Sequence, residues 1–292
     1  MIARLLLIAM LLTGLAAPGH AGERSADIAG LAVSIWSPDA ALRGPLPLLV
    51  FSHGFHGCAT QSRFLMQAFA AAGYLVVAPN HRDATCDGHF ARLFSAPEGP
   101  FRRPDLWTDA TYRDRADDII DLLSALRSDS SYAASVDWTR IGLVGHSLGG
   151  YTVLGLGGAW PAWRLPGIRA VLALSPYALP FVIRHDLSGL SAPVMYQGGS
   201  LDYGLTPTIE KPAGAFALSA RPKYFVDIAG AGHLAWACVG RADTRPAITA
   251  YSLAFLDRYV KGAAPASLLT QIGPGVARLA FNSELGVSAG SR

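Results

Sequence analysis

Ile141-Gly-Leu-Val-Gly-His-Ser-Leu-Gly-Gly150 is a short apolar run that stops abruptly in glycines, with one serine, Ser147, at the stop. Its core, Gly145-His-Ser-Leu-Gly149, matches Gly-x-Ser-x-Gly and precedes a segment rich in alanine, glycine and leucine. A tight turn from strand to helix needs small residues around the serine and holds its hydroxyl beside free N–H groups. We therefore interpret Ser147 as a nucleophile. The alternatives are a plain turn and a phosphate-binding loop, but the stretch has neither Gly-Lys-Ser/Thr nor Gly-x-Gly-x-x-Gly.

The composition indicates a globular chain with an export signal. Of its 292 residues 51% are hydrophobic and 15% charged, which is enough apolar material for a large core. Residues 1–21 contain one arginine, the apolar run Leu5 to Ala17 and small residues at the end, the layout of a secretory signal peptide. The apolar run is shorter than the roughly 18 residues that span a bilayer. We expect a secreted or periplasmic protein, with residues 22–292 as one domain and no stable membrane anchor.

Charge and cysteine content narrow the class of protein further. Removal of Arg4 with the leader lowers the formal net charge from +3 to +2, too small to indicate nucleic-acid binding. Cys58, Cys86 and Cys238 stand alone and match no zinc-binding spacing, so we expect no metal. In an oxidising compartment two of them can pair. We favour Cys58 with Cys86, because both follow predicted strands at the same rim; three free thiols are the alternative.

Short apolar runs alternate with amphipathic segments along the chain, which predicts an open α/β sheet. One helix is expected over residues 61–72 and another over residues 111–127. The predicted strands are Leu31 to Trp36, Pro47 to Phe51, Tyr74 to Ala78, Ile141 to Val144, Ala170 to Leu174, Pro193 to Tyr196 and Lys223 to Ile228. Because ligands bind beyond the carboxyl ends of such strands, the loops there are the place to search for a site.

Two later loops provide an acid and a histidine in the order expected after a nucleophile elbow. Asp202 follows the strand that ends at Tyr196, and His233 follows the strand that ends at Ile228. We predict that Ser147, Asp202 and His233 form a catalytic triad. Asp227 is a competing acid, but it lies inside a predicted strand. The alternatives are a turn-forming aspartate and a structural histidine.

An attacked carbonyl also needs hydrogen-bond donors for its negative charge. The N–H of Leu148, directly after the nucleophile, is one candidate donor. The second is expected from the abrupt, glycine-rich loop Ser52-His-Gly-Phe-His-Gly57, which follows another strand.

With these residues in place, the sequence resembles the α/β-hydrolase superfamily over nearly the whole mature chain. Within it, the chain is most similar to the dienelactone-hydrolase-like and platelet-activating-factor-acetylhydrolase-like group, which includes cutinase-type polyester hydrolases. The resemblance implies a mostly parallel central sheet flanked by helices, with the second donor at the Phe55 N–H. It also implies that Tyr177, in Leu174-Ser-Pro-Tyr177, lines the acyl site.

Two features depart from the patterns of this group. Dienelactone hydrolases carry cysteine at the elbow, whereas this chain carries Ser147. The polyester hydrolases have a C-terminal disulfide between a cysteine near the acid and one past the histidine. Cys238 follows His233, but no cysteine stands near Asp202. The resemblance therefore does not imply polyester hydrolysis.

These residues predict a serine carboxylic-ester hydrolase that needs no cofactor. His233 would remove the Ser147 proton and Asp202 would stabilise the imidazolium. Too few residues separate Tyr177 from the next strand for a cap domain, so we expect an open cleft for bulky or polymeric esters, in a monomer. The candidate substrate-binding residues are Phe55, His146, Tyr177 and Trp236.

Three points remain open at the level of sequence. Residues 82–107 form a long loop rich in aromatic residues and arginine, which is either a partial lid that favours anionic substrates or a segment packed on the surface. A serine peptidase or amidase could use the same triad. A hydrolase-like binding protein without catalysis is the alternative from another class.

Overall fold

A ten-stranded sheet forms the centre of the protein. The computed structural model describes residues 22–38, 44–86, 98–283 and 286–287, so the predicted signal peptide lies outside the described residues. The strand order is β1-β2-β4-β3-β5-β6-β7-β8-β9-β10. The strands are β1 (Gly22–Ile28), β2 (Leu31–Ser37), β3 (Leu46–Ser52), β4 (Leu75–Pro79), β5 (Val136–His146), β6 (Ile168–Leu174), β7 (Val194–Gly199), β8 (Lys223–Ile228), β9 (Val276–Ser283) and β10 (Gly286–Val287).

The six central strands, β4 to β8 with β3 between β4 and β5, run parallel. β1 and β2 on one side and β9 and β10 on the other add in antiparallel orientation. All seven predicted strands are present, and the last of them has its predicted bounds. The sequence did not predict β1, β9 and β10. β1 is polar and mostly exposed, so it lacks the apolar run on which the prediction relied.

Helices cover both faces of the sheet. Those that define the layers are α1 (Arg63–Ala71), α2 (Glu98–Arg102), α3 (Arg113–Ser128), α4 (Ser130–Ala133), α5 (Leu148–Leu154), α6 (Leu179–Ile183), α7 (Thr206–Glu210), α8 (Ala215–Leu218) and α9 (Arg245–Tyr259). The predicted helices over residues 61–72 and 111–127 are α1 and α3, each shifted by one or two residues.

Two hydrophobic cores lie on opposite sides of the sheet, because successive strand residues point to opposite faces. In β3, Leu48 and Val50 pack under α3 and α5, whereas Leu49 and Phe51 pack under α1 and α9. This doubly covered, mostly parallel sheet is the α/β-hydrolase fold. Between β6 and β7 the described chain has the short α6 and no cap domain. No helix among the described residues has both the length and the apolar character needed to cross a membrane.

A disulfide joins Cys58 to Cys86, as predicted, and Cys238 is a free, exposed thiol. The bond links the loop after β3 to the loop after β4, which meet at the carboxyl edge of the parallel strands. Because disulfides persist in oxidising environments, the bond favours an extracellular or periplasmic location.

The turn after β5 is strained and tightly enclosed. Ser147 has φ 55° and ψ −116°, a left-handed conformation that costs a non-glycine residue about 1–3 kcal/mol. A Cβ at Gly145 would lie 2.1 Å from the carbonyl oxygen of Gly149, and a Cβ at Gly149 would lie 2.0 Å from the carbonyl oxygen of Ser52. Both glycines are therefore required by close backbone approach, and they press the start of α5 against the end of β3.

Replacing Gly149 with alanine should destabilise the whole fold. The added methyl group meets the Ser52 backbone, which has no free space to move, so we expect a loss of at least about 3 kcal/mol in the free energy of unfolding. Denaturant unfolding of Gly149→Ala measures this loss. Gly204→Ala is the matched control, because its Cβ would have only one neighbour, at 3.9 Å, and should change stability by less than about 0.5 kcal/mol. Equal stability of the two variants would contradict the packing described here.

Candidate active site

Three loops at the carboxyl ends of parallel strands bring the predicted triad together. Ser147 follows β5, Asp202 follows β7 and His233 follows β8. The Oγ of Ser147 lies 3.0 Å from Nε2 of His233, and Nδ1 of His233 lies 3.2 Å from Oδ2 of Asp202. These are hydrogen-bond distances. The alternative acid, Asp227, stays within β8, opposite Arg278 of β9.

Ser175 joins this group, although the sequence did not single it out. It directly follows β6, and its hydroxyl donates a hydrogen bond to Oδ2 of Asp202 and lies 2.8 Å from Nδ1 of His233. The residue is fully buried and has φ 40°. The only sequence signal is its position after the apolar run of β6, in the segment that contains Tyr177.

The surroundings of Asp202 keep its carboxylate ionised. Burial raises the pKa of this group, but hydrogen bonds from His233 and Ser175 outweigh burial and hold the pKa below its ordinary value. An ionised carboxylate next to Nδ1 fixes the histidine tautomer whose Nε2 is free to accept the serine proton.

The loop after β3 lies directly against Ser147. A Cβ at Gly54 would be 3.3 Å from Cβ of Ser147, so the two backbones are nearly in contact. Phe55, the next residue, lines the cleft. Among the described residues the N–H groups of Phe55 and Leu148 have no hydrogen-bond acceptor, although neighbouring N–H groups of the same loop do. Backbone N–H groups that lack an acceptor are available to bind a negatively charged oxygen.

His146, a predicted substrate-binding residue, serves mainly to connect loops. Its Nε2 donates to the carbonyl oxygen of His233 at 2.9 Å, and its Nδ1 accepts from the amide of Gln61 at 2.8 Å. Gln61 in turn accepts the Gly54 N–H at 3.0 Å. Burial, and next the nearby His233, lower the pKa of His146 to about 3, so its ring stays neutral. The histidine loop and the loop after β3 are thereby tied together, and only an edge of His146 reaches the cleft.

The prediction that Trp236 binds substrate is wrong. Its side chain is fully buried in the core beneath α9 and does not line the cleft. Its indole N–H donates to Gln197 of β7 at 2.9 Å. The residue stands three positions after His233 in a short 3-10 turn. The ring of His146 stacks on the Trp236 ring, with centroids 6.2 Å apart, and lies 4.9 Å from the ring of His233. A large aromatic residue near a catalytic motif can thus be a packing residue instead.

The cleft has a volume of about 940 Å³ and is mostly apolar. On one side Phe55, Tyr177 and Phe101 form an aromatic wall, in which Phe101 contacts the other two edge-on with ring centroids 5.1 and 5.0 Å away. The Tyr177 hydroxyl donates to the carbonyl oxygen of Phe101 at 3.2 Å. Further apolar lining comes from Leu205, Leu234, Ala237 and Val239.

The described end of the long loop, residues 98–107, packs against this aromatic wall. Trp107 is buried and donates its indole N–H to the carbonyl oxygen of Pro100 at 2.8 Å. Phe101 of this segment lines the cleft, but Arg102 and Arg103 do not, and Arg103 pairs with Asp105 at 2.7 Å. The segment thus contributes a wall, not the cationic site that the arginines suggested. Residues 87–97 of the loop lie outside the described residues.

One comparison with known proteins finds a similarity between part of the chain and a family model. Residues 34–96 match the model for platelet-activating factor acetylhydrolase, isoform II. This match supports the resemblance of the chain to the platelet-activating-factor-acetylhydrolase-like group of α/β-hydrolases. It covers β3, the loop with Phe55 and the disulfide, and it ends before Ser147. A search of the curated proteins finds no match to this chain.

Within the described residues, no group of three or more His, Cys, Asp or Glu is placed to hold a metal ion.

Removing the Ser175 hydroxyl should make the protein less stable at neutral pH. A hydrogen bond to a buried carboxylate contributes about 1.5–3 kcal/mol, so we expect a loss of that size for Ser175→Ala at pH 7. Because the pKa of Asp202 is lowered on folding, this contribution is present above the unfolded pKa of about 3.9 and is lost as the pH falls through the folded pKa.

Unfolding free energies of the wild type and Ser175→Ala from pH 7 down to pH 2 test this prediction. The two curves should begin to converge as the pH falls below about 3.9 and should meet once it has passed through the lowered pKa of folded Asp202, where the carboxylate takes up a proton. The exposed serine variant Ser267→Ala should follow the wild type throughout. A difference that stayed constant down to pH 2 would show that the Ser175 bond does not depend on the Asp202 charge.

Proposed function

We propose that this chain is an exported serine esterase that forms an acyl-enzyme on Ser147. The observation that supports it best is the 3.0 Å hydrogen bond between the Ser147 hydroxyl and His233, at the base of an open apolar cleft. The second is the pair of unsatisfied N–H groups of Phe55 and Leu148 beside that hydroxyl. The family match supports hydrolase chemistry, and the disulfide is consistent with export through the predicted signal peptide.

The proposed reaction has two halves. His233 takes the Ser147 proton while Oγ attacks the ester carbonyl carbon, and the resulting oxyanion accepts hydrogen bonds from the Phe55 and Leu148 N–H groups. Collapse of this intermediate breaks the bond to the alcohol, which leaves with the proton from His233. Water then gives its proton to His233 and attacks the acyl-enzyme, and the carboxylic acid is released as the proton returns to Ser147. Asp202 stabilises the imidazolium in both halves.

The cleft supports esters with a bulky or extended group as substrates. Because no cap domain covers it between β6 and β7, both small and polymeric esters have access to Ser147. We propose that the acyl group lies against the aromatic wall of Phe55, Tyr177 and Phe101. The described lining of the cleft does not distinguish an amide substrate from an ester. A comparison of ester and amide hydrolysis therefore tests whether the same triad serves a peptidase.

Ser147→Ala should abolish hydrolysis of a p-nitrophenyl ester. Loss of the nucleophile typically lowers kcat by about 10⁶-fold, so we expect no activity above background in a purified, folded variant. His233→Ala should fall to a similar level. Ser188→Ala, an exposed serine between α6 and β7, is the matched control and should keep wild-type kcat.

Assays of Ser147→Ala and of the wild type together distinguish the candidate functions. Activity close to that of the wild type would eliminate Ser147 as the nucleophile. Wild-type protein that cleaved the matching p-nitroanilide as fast as the ester would indicate an amidase instead. Wild-type protein that hydrolysed neither and failed to react with a fluorophosphonate would indicate a binding protein.

Phe101→Ala should shift the preference towards longer acyl chains. Its ring closes the aromatic wall, and removal of the ring opens room for several methylene groups, each worth about 0.8 kcal/mol when buried. We expect the ratio of kcat/KM for a p-nitrophenyl octanoate over the acetate to rise by about 10-fold. Leu106→Ala, an exposed side chain of the same segment that does not line the cleft, is the control. An unchanged ratio for Phe101→Ala would show that the acyl chain lies elsewhere.

A further inference from the structure

A buried cluster of polar side chains lies beneath the loop that carries the Phe55 N–H. Its central member is Arg115 of α3, whose side chain is 1% exposed and contacts His53, Asp83 and Ser52. His81 joins the cluster through hydrogen bonds to Ser52 and His53. Burying a guanidinium is costly unless it is paired and fully hydrogen-bonded. The contacts that Arg115 makes in the loop must therefore offset the cost of its burial.

The Arg115 guanidinium holds two consecutive carbonyl groups of that loop. Its Nη1 donates to the carbonyl oxygen of His53 at 2.9 Å, and its Nη2 donates to that of Gly54 at 3.3 Å. On its other side, Nε donates to Oδ1 of Asp83 at 3.0 Å. The second oxygen of Asp83 accepts the N–H of His56 at 3.1 Å, so arginine and aspartate together hold both ends of the loop.

His53 supports the same carbonyl from a neutral ring. Its Nε2 accepts the backbone N–H of His81 at 3.0 Å, so Nδ1 bears the proton and donates it to the carbonyl oxygen of Gly54 at 2.7 Å. Burial, followed by the charge of Arg115, lowers the pKa of His53 and keeps the ring neutral. Arg115 is therefore the fixed cation of the cluster. Burial raises the pKa of Asp83, but the charge of Arg115 outweighs burial and holds the pKa well below its ordinary value. A second carboxylate, Asp118, lies 2.8 Å from Nδ1 of His81.

Peptide planarity converts these contacts into an orientation for the Phe55 N–H. In a trans peptide unit the C=O and the following N–H point in opposite directions. The unit from His53 to Gly54 has both ends satisfied, by Arg115 and by Gln61. In the unit from Gly54 to Phe55, the carbonyl oxygen accepts from Arg115, from His53 and, at 2.9 Å, from the Gly57 N–H, so the N–H of this unit points away from the cluster. That N–H is the one end left without an acceptor among the described residues.

The loop needs such support because its backbone is strained. His56 has φ 54°, a left-handed conformation that is unfavourable for a non-glycine residue. Without bonds to both sides, the peptide unit between Gly54 and Phe55 can rotate and remove its N–H from the position beside Ser147.

We propose that Arg115 is a positioning residue for the oxyanion site: its fork fixes the His53 and Gly54 carbonyls and thereby aims the Phe55 N–H at the developing oxyanion. This inference rests on the esterase function proposed above. Arg115 touches no substrate, so its effect is on stabilisation of the tetrahedral intermediate and not on ground-state binding. Lysine cannot replace it, because an ammonium group lacks the planar fork that reaches two adjacent carbonyls.

The test compares Arg115→Lys with Arg113→Lys. Arg113 lies on the same helix, is partly exposed and pairs with Asp117 at 2.8 Å, so its variant controls for loss of a guanidinium on α3. Each protein is titrated for active sites and assayed with a p-nitrophenyl ester. An aryl trifluoromethyl ketone, which adds to the serine as a hemiketal with a negative oxygen, probes the oxyanion site. The corresponding secondary alcohol, which cannot form that oxygen, probes the cleft alone.

For Arg115→Lys we expect kcat/KM per active site to fall by about 10- to 100-fold, below the 10²–10³-fold loss for removal of one oxyanion donor. The inhibition constant of the ketone should rise by the same factor, and KM and the affinity for the alcohol should change less than about 2-fold. The pKa of the hemiketal hydroxyl, followed by fluorine NMR, should rise by about 1 to 2, since each tenfold loss corresponds to one pKa unit. Arg113→Lys should match the wild type.

Other results would overturn the proposal. Arg115→Lys could have fewer active sites, while the remaining sites keep the wild-type ketone affinity and hemiketal pKa. That result would show that Arg115 has a purely structural role. If Arg115→Lys does not fold, Asp83→Asn loosens the same loop from the edge of the cluster and should shift ketone affinity and hemiketal pKa in the same direction; no shift overturns the proposal. Wild-type protein that formed no hemiketal at Ser147 would overturn the esterase function itself, and this inference with it.

Discussion

The sharp turn at Ser147 is the constraint on which the rest of the site depends. The serine is held with φ 55° between two glycines, one of which lies against the backbone at the end of β3. That contact fixes the distance between Ser147 and the loop that carries the Phe55 N–H. Any side chain at Gly149 would separate the two, so the strain at the serine and the close approach of the loops are one structural feature. The stability of the surrounding sheet and helices compensates for the strained turn.

The parallel strands determine which loops can meet at this turn. Because β3, β5, β6, β7 and β8 run in the same direction, the loops that follow them share one edge of the sheet, and each contributes a polar group. These groups are not independent. A chain of hydrogen bonds runs from the carbonyl of His233 through His146 and Gln61 to the Gly54 N–H. A second set, around Arg115, holds the same loop from below. These buried contacts thus hold His233 and the loop of the Phe55 N–H in a fixed relative position.

Sequence patterns could predict the fold class, the strands of the central sheet, the disulfide and the proximity of Ser147, Asp202 and His233. Each of these depends on local signals: apolar runs, a glycine-flanked serine and polar residues just past strand ends. The remaining features depend on contacts between distant segments. Ser175 and Arg115 become functional candidates only when tertiary packing brings them to His233 and Gly54. The error at Trp236 has the same origin, since its burial depends on core residues and on Gln197, which are distant in the sequence. The polar edge strand β1 has no apolar pattern to detect.

The apolar cleft and the charged residues around it have separate roles in this account. Aromatic and aliphatic side chains provide the surface for the substrate, whereas Asp202, His233 and two backbone N–H groups act on the reacting atoms. The central claim is that the acyl group of the substrate becomes covalently attached to Ser147 during turnover. Intact mass spectrometry of the protein, quenched in acid during turnover of a slowly deacylated p-nitrophenyl ester, measures this directly. The account predicts a mass increase of one acyl group, located by peptide mapping at Ser147 and abolished in Ser147→Ala. Turnover without any adduct at Ser147, or an adduct on another residue, would contradict it.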